Sequence, residues 1–394
     1  MCNPNHWLLY LSAFVFLACS SQQRDVKALT EKTEPIPDVV SVDEVPQVSK
    51  TGKTFPAFQF EDILHRHDLD SFPLPVVDAS LLKALQYQLR LLKTRRAPEH
   101  YKVGKMQFDK GQMEYVVRLL MEWEQAYPSE LFKYLDAYQL KGKDGRGNVY
   151  FTGYYTPVLE ASKNQSETYP YPIYAYPDNW VGPLPTRKQI DGKEKALKGR
   201  GLEIAYTKRL EDIYFMQVQG SGFVEYPNGE HQYLAYDGTN RQPYRSIGRF
   251  LMNSGLLRKG ASVSMEGIKS FLAKNPQLRD TVLNYNPSYT FFHDKGDKPL
   301  GAGTVPLTEM ISIAVDPRYI PLGSVLLAAV PVINDKGNVI RHDYKILLAQ
   351  DVGGQINGPG HIDYYLGTGK KGQQRASKHH HYGNLWLLLP KPQT

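Results

Sequence analysis

The sequence predicts a mainly β protein with accessory helices, and three observations carry that expectation. Its 394 residues include 27 tyrosines and 27 prolines, a pairing that favours half-buried strands interrupted by turns. Short apolar runs bounded by Gly, Pro, Asn or Asp recur along the chain, which is the pattern of strands. Helical periodicity is confined to a few separated stretches. With 41% hydrophobic residues the chain can bury the cores of two ordinary domains, which excludes a disordered polymer.

Taken in order, the chain begins with an apolar stretch from Trp7 to Ala18 that is short for a membrane span but right for the core of a secretory signal. Cys19 closes it directly. Cys2 is the only other cysteine, so the folded body is expected to lack disulfides and cysteine-ligated metals. We expect a signal peptide at 1–18 and a polar, proline-bearing tether at 19–56, where Pro35, Pro37 and Pro46 interrupt any apolar period. Leu81, Leu82, Leu85, Leu89 and Leu92 then repeat at helical spacing behind Asp78, predicting a capped helix over 78–96. Met113, Val116, Val117, Leu120 and Trp123 predict a second over 112–126, limited by Pro128. Aromatic and β-branched runs at 149–158 and 169–174 predict strands. A further strand is expected at 212–219, leading into Gly220-Ser221-Gly222, with Asn228-Gly229 as a turn beyond it. Helical spacing returns at 244–253 and 264–274. Apolar strands at 311–315, 325–332, 344–349 and 385–389, separated by turn-rich loops, predict a small closed β-barrel.

The formal charge of +7 is spread along the chain rather than massed, which gives no nucleic-acid tract. Chemistry concentrates instead in the loop between Asp351 and Asp363, which holds four glycines and Pro359. Such a loop can fold back and turn both carboxylates toward one cleft. Two neighbouring carboxylates resist joint ionisation, so one keeps a proton near neutral pH, as a glycosidic general acid requires. His379-His380-His381, with His361 and the aspartates, raises a metal site as a rival. Three adjacent histidines cannot converge on one ion from regular structure, and no metal or other cofactor is expected.

The blocks Ala314-Val-Asp-Pro-Arg-Tyr-Ile-Pro-Leu-Gly323, Ala349-Gln-Asp-Val-Gly-Gly-Gln-Ile-Asn-Gly358 and His361-Ile-Asp363 resemble a domain named for three aspartates, here Asp316, Asp351 and Asp363. With Phe151-Thr-Gly-Tyr-Tyr-Thr-Pro157, Val218-Gln-Gly-Ser-Gly222, Tyr244-Arg-Ser-Ile-Gly248 and His381-Tyr-Gly-Asn-Leu-Trp-Leu-Leu388, the chain resembles the membrane-bound lytic murein transglycosylase A family. The resemblance implies a double-psi β-barrel built from 57–160 and 256–394, a second barrel-like β domain inserted at 161–255, and a glycan groove between them. It implies cleavage of the β-1,4 bond between N-acetylmuramic acid and N-acetylglucosamine, leaving 1,6-anhydro ends. Asp363 would be the single acid/base, with Asp351 stabilising positive charge and raising the pKa of Asp363. Asp316 is open between fixing a turn and a direct part. Thr156, Gln219, Gly220 and Ser221 match sugar-contacting positions, while Tyr154 and Tyr155 are open between stacking on sugar and strand packing, with Tyr155 taken as the sugar contact. The implied setting is the periplasmic face of the outer membrane, anchored by lipid at Cys19, with peptidoglycan strands as partner and a cell-wall synthesis complex open as another. A non-catalytic lipoprotein that holds peptidoglycan is the alternative, against which the Asp351 and Asp363 pair speaks.

Overall fold

The computed structural model describes residues 63–69, 72–73, 75–103, 106–122, 133–257 and 264–391. Cys19, the tether and Trp123 lie outside the described residues. The chain opens with β1 (Ile63–Asp68), α1 (Ala79–Leu92), the hairpin β2 (His100–Val103) and β3 (Met106–Asp109), then α2 (Lys110–Glu122), β4 (Leu135–Leu140) and β5 (Val149–Thr156). Asp78 caps α1 as expected, its carboxylate accepting the Leu81 N–H at 2.8 Å. The leucine stripe supplies the buried face, with Leu81, Leu85, Leu91 and Leu92 sunk against the barrel and Leu82 and Leu89 at its margin. Met113, Val116, Val117 and Leu120 do the same for α2.

The chain then passes through β6 (Val158–Ser162), β7 (Tyr171–Tyr174), α3 (Arg187–Asp191), β8 (Glu203–Thr207), α4 (Leu210–Gln219), β9 (Gly222–Glu225), β10 (His231–Thr239), α5 (Ile247–Asn253), α6 (Met265–Lys274), α7 (Arg279–Asn284) and β11 (Thr290–Asp294). It ends with β12 (Ser312–Val315), β13 (Val325–Ile333), β14 (Val339–Val352), β15 (His361–Thr368), α8 (Gly369–Ala376) and β16 (His380–Pro390).

Two β bodies result. In the first, eight strands run in the order β1-β4-β16-β13-β14-β12-β15-β5, and an added β16–β5 pairing closes six of them into the barrel. Its pairings are mixed: β12–β14 and β15–β5 are parallel, the others antiparallel. This is the closed barrel the double-psi expectation requires. Closure leaves no free edge in that part of the sheet. The second body is a six-stranded sheet in the order β11-β10-β9-β6-β8-β7. It curls until its end strands share one cluster, Tyr174 of β7 with Phe291 of β11. Because β11 pairs with β10, the chain stays in this body well past residue 256 and returns to the barrel at β12. Between the bodies the crossing is tight: Pro157 alone separates β5 from β6, and its carbonyl accepts the Phe223 N–H at 2.8 Å.

The strand expected at 212–219 is corrected. Residues 212–219 are helical, not extended. The segment is buried around most of its circumference, at Leu210, Glu211, Ile213, Tyr214, Phe215, Met216 and Gln217, so it shows no polar face from which a helical period could be read. Its ends carried the signal. Glu211 and Asp212 sit in the first turn, where carboxylates favour a helix, and Gly220 stops it at φ 85°, donating its N–H to the Met216 and Gln217 carbonyls. Deep in the same body Arg187 is 2% exposed. The Tyr214 and Tyr289 rings cover it at 4.6 and 4.9 Å, and the Asn286 and Ser288 carbonyls and Asp191 satisfy its donors.

Candidate active site

The barrel wall between β14 and β5 separates core from chemistry by the two-residue period of its strands. Phe151, Ile313, Ile362 and Tyr364 face inward and are fully buried. Their neighbours take the other face in a single rung: Ala314 is in register with Asp351 on one side and Asp363 on the other, and Asp363 is in register with Thr152. One strand therefore separates the two carboxylates, roughly 9–10 Å between their Cα atoms by strand spacing. The glycine loop does fold back, and the partner it folds around is β12.

Asp351 is held by three donors: the Ala302 N–H at 2.8 Å, the Val352 N–H at 2.9 Å and the Tyr154 hydroxyl at 2.9 Å. Gln350 braces it from below. Its amide oxygen accepts the Ser312 hydroxyl at 2.6 Å and its amide nitrogen donates to the Ala84 carbonyl at 3.3 Å, tying the carboxylate's backbone to α1. Asp363 accepts the Thr152 hydroxyl on Oδ1 at 2.9 Å. Both aspartates are half-buried. Crowding by protein pushes Asp363 up to about 7; the Thr152 hydroxyl opposes the rise and the charge of Asp351 adds to it. Asp351 is raised to about 6 by burial, against the pull of its three donors. Burial is the larger cause of the rise in Asp363, and the charge of Asp351 the smaller one. Asp351, with the richer set of donors, is the one that ionises at the lower pH.

Asp316 is 2% exposed and meets neither carboxylate. It forms an ion pair with Arg318 at 2.8 Å and accepts the Gly358 N–H at 2.8 Å, so it bolts the glycine loop to the turn after β12. Gly358 stands at φ 80°, a conformation that favours glycine. Beyond the rung, Gln219 reaches across from the second body, its amide oxygen accepting the Tyr155 N–H at 3.1 Å. Gln219, Gly220 and Ser221 are half-buried at this junction. Tyr155 and Thr156, expected as sugar contacts, are covered by protein: the Tyr155 hydroxyl donates to the Met265 sulfur, and Thr156 shares a 2.9 Å hydrogen bond with the Tyr365 hydroxyl. Tyr154 is buried against Ala314 and Tyr365, which answers its open role as packing together with support of Asp351.

The family model described as the MltA specific insert domain matches residues 150–293, and that of the 3D domain matches 311–389. The membrane-bound lytic murein transglycosylase A of Escherichia coli K12 is 38% identical over 263 residues, 66% of this chain and 70% of the relative. Its Vibrio cholerae counterpart is 36% identical over 277 residues, 68% of this chain and 74% of the relative. The chain belongs to the membrane-bound lytic murein transglycosylase A family. It is accordingly an enzyme of the lytic transglycosylase class. The crystal structure of E. coli MltA with bound chitohexaose superposes with a TM-score of 0.70 at 30% identity, covering 88% of this chain and 98% of that one. The membrane-bound lytic murein transglycosylase from Agrobacterium tumefaciens does so at 0.65 and 26% identity, covering 78% and 92%.

In this transglycosylase the histidine run assembles no ligand set: His380 stacks on His381 with centroids 4.8 Å apart, while His379 packs on Tyr364. No group of three His, Cys, Asp or Glu side chains is placed to hold a metal among the described residues. Sequence reasoning missed two side chains that the fold places beside Asp363. Thr152 bonds it directly, and His361 Nε2 lies 2.9 Å from the Thr152 hydroxyl oxygen. The available signal was the i, i+2 spacing of His361 and Asp363 on one strand, which puts both on one face.

Proposed function

We propose that the chain cleaves the β-1,4 bond between N-acetylmuramic acid and N-acetylglucosamine of peptidoglycan and leaves 1,6-anhydromuramoyl ends, with Asp363 as its single acid/base. The observation that carries this reading is one carboxyl held near neutrality, Asp363 at about 7, beside a second that ionises more readily. Asp363 protonates the leaving glycosidic oxygen. Its carboxylate then takes the proton from the muramoyl C6 hydroxyl as that oxygen bonds to C1, so one C–O bond breaks, one forms and no water is consumed. Asp351, as the anion, faces the positive charge that develops at the anomeric carbon. The sugar-binding of the related E. coli MltA, seen with chitohexaose, supports a glycan as ligand. The test is mass spectrometry of products from purified sacculi: anhydro ends are expected, and reducing ends from the unmodified enzyme defeat the lyase mechanism.

In the groove, Gln219, Gly220 and Ser221 bind glycan without taking part in the chemistry. The amide nitrogen of Gln219 has no partner among the described residues and is available to a sugar hydroxyl. Gln219→Ala is expected to raise KM roughly 2- to 10-fold, the worth of one hydrogen bond, with the anhydro product unchanged. A switch to reducing ends in that variant would place Gln219 in the chemical step.

Cys19, outside the described residues, is proposed as the acylated N-terminal residue that holds the enzyme at the periplasmic face of the outer membrane. The relatives' description as membrane-bound supports membrane association. Several acyl chains anchor firmly where one does not, so Cys19→Ser is expected to move the protein into the soluble fraction. Sedimentation of that variant with membranes after a salt wash overturns the anchor.

A further inference from the structure

Thr152 has one hydroxyl proton and three neighbours: Asp363 Oδ1 at 2.9 Å, His361 Nε2 at 2.9 Å and the Ile362 carbonyl at 3.3 Å. With the hydroxyl proton turned to one of the two nearer neighbours, two proton arrangements are consistent along this chain of contacts. If His361 carries its proton on Nε2, the ring donates to the Thr152 oxygen and the hydroxyl donates to Asp363. If the proton is on Nδ1, the ring accepts the hydroxyl proton, and a protonated Asp363 turns its own proton from Oδ1 into the wall. The second arrangement hides the acid from a substrate.

We propose that Thr152 and His361 act as a positioning relay, with His361 in the Nε2–H form, that reserves Oδ1 of Asp363 as an acceptor and confines the catalytic proton to Oδ2. The inference rests on the acid/base role of Asp363 given above. An ionised Asp363 attracts the hydroxyl proton more strongly than the Ile362 carbonyl does, because a charged acceptor makes the stronger bond, and the shorter distance agrees. The same arrangement serves both halves of the reaction. Thr152 remains a donor throughout, and the proton that moves is always the one on Oδ2.

The surroundings keep the ring in place. His361 and Tyr150 are in register on β15 and β5, and Tyr150 and Tyr382 on β5 and β16, giving a row beside the catalytic rung on the same face. The Tyr150 ring lies 5.5 Å from His361, and the Tyr382 ring 5.2 Å from Tyr150. Burial, with Lys143 adding its positive charge, lowers His361 to about 4, so the ring carries a single N–H at neutral pH. The groups that face Asp363 or this relay are Asp351 on β14, Tyr154 on β5, His361 on its own strand, His380 in register with Thr152 on β16, and Lys143 after β4. The Tyr364 N–H also reaches the Asp363 carboxyl.

The test compares Thr152→Val, which keeps the shape and removes the hydroxyl, with Thr152→Ser, which keeps the hydroxyl. Thr152→Val is expected to lower kcat roughly 10- to 100-fold, as loss of a hydrogen bond to a charged group does, with KM within about 2-fold. The limb of the pH–rate profile that reports the protonated acid should move to higher pH, since the lost donor had favoured the carboxylate. Thr152→Ser should restore both the rate and the limb. Nitrogen NMR of histidine-labelled unmodified enzyme supplies a reading that needs no variant, and His361 is expected as Nε2–H. An Nδ1–H ring, or a folded Thr152→Val enzyme with an unmoved limb, overturns the relay. Retained turnover in Asp363→Asn is the separate result that removes the acid assignment beneath it.

Discussion

Asp363→Asn is expected to fold, to bind glycan strands and to lose cleavage by about 10⁴-fold or more. General acid/base groups contribute ~10²- to 10⁴-fold each, and in the proposed mechanism one residue serves both proton transfers. The amide keeps an oxygen to accept the Thr152 hydroxyl, so the rung is preserved while its chemistry is removed. Asp351→Asn should be milder, about 10²-fold, because the proton donor survives and only the facing anion is lost. Digestion of purified sacculi by the unmodified enzyme and both variants, followed by mass spectrometry of the muropeptides, measures rate and product together. Near-normal turnover by folded Asp363→Asn would remove the residue assignment and leave the family untouched. Equal losses in the two variants would mean that the carboxylates share the proton transfers between them.

The parts of this architecture that were readable in the sequence share a physical property: each repeats locally. The leucines of α1 mark one face of a helix, and Asp78 announces its start. Strands β12, β13, β14 and β16 carry short apolar runs between turns, and a small barrel is what such runs can close into, whereas β15 shows no such run. What escaped notice depends on pairing between distant segments. Nothing local says that Ala314 lies between Asp351 and Asp363, or that Thr152, more than 200 positions before Asp363, completes the same rung. Helix α4 was misread for the opposite reason, since burial on nearly every side erased its period. The roles given to Tyr155 and Thr156 came from a motif, and the fold turns both side chains into protein at the crossing to the second body. The Gly220 turn and the Gln219 bridge explain why that crossing holds its shape: a helix end from one body is fastened to β5 of the other.

The carboxyl proposed as the acid/base should weaken the fold, and Asp363→Asn should therefore be more stable than the unmodified enzyme at pH 8. A carboxyl raised from 3.8 to about 7 on folding binds its proton more tightly in the folded state. Its penalty is therefore complete above about pH 7, where the folded protein must carry the buried charge. It shrinks as pH falls through the folded value and vanishes below the unfolded one, near 4. At about 1.4 kcal/mol per tenfold the ceiling is ~4 kcal/mol, and the solvent-facing edge of the half-buried group reduces it to about 2 kcal/mol. Thermal unfolding of the two proteins should then show a gain of about 4 °C for the variant at pH 8 and none at pH 4. Only the difference is informative, because the ion pairs of the rest of the protein lose strength in acid in both. Asp351 is present in both as well, so its own titration cancels except for its interaction with Asp363, which is a smaller cause of the raised value than burial. A gain that is the same at both pH values would trace to packing of the amide rather than to a suppressed charge. A variant less stable at pH 8 would mean that the Asp363 carboxylate is welcome in the wall, and that its readiness to hold a proton near neutrality must come from the bound glycan instead.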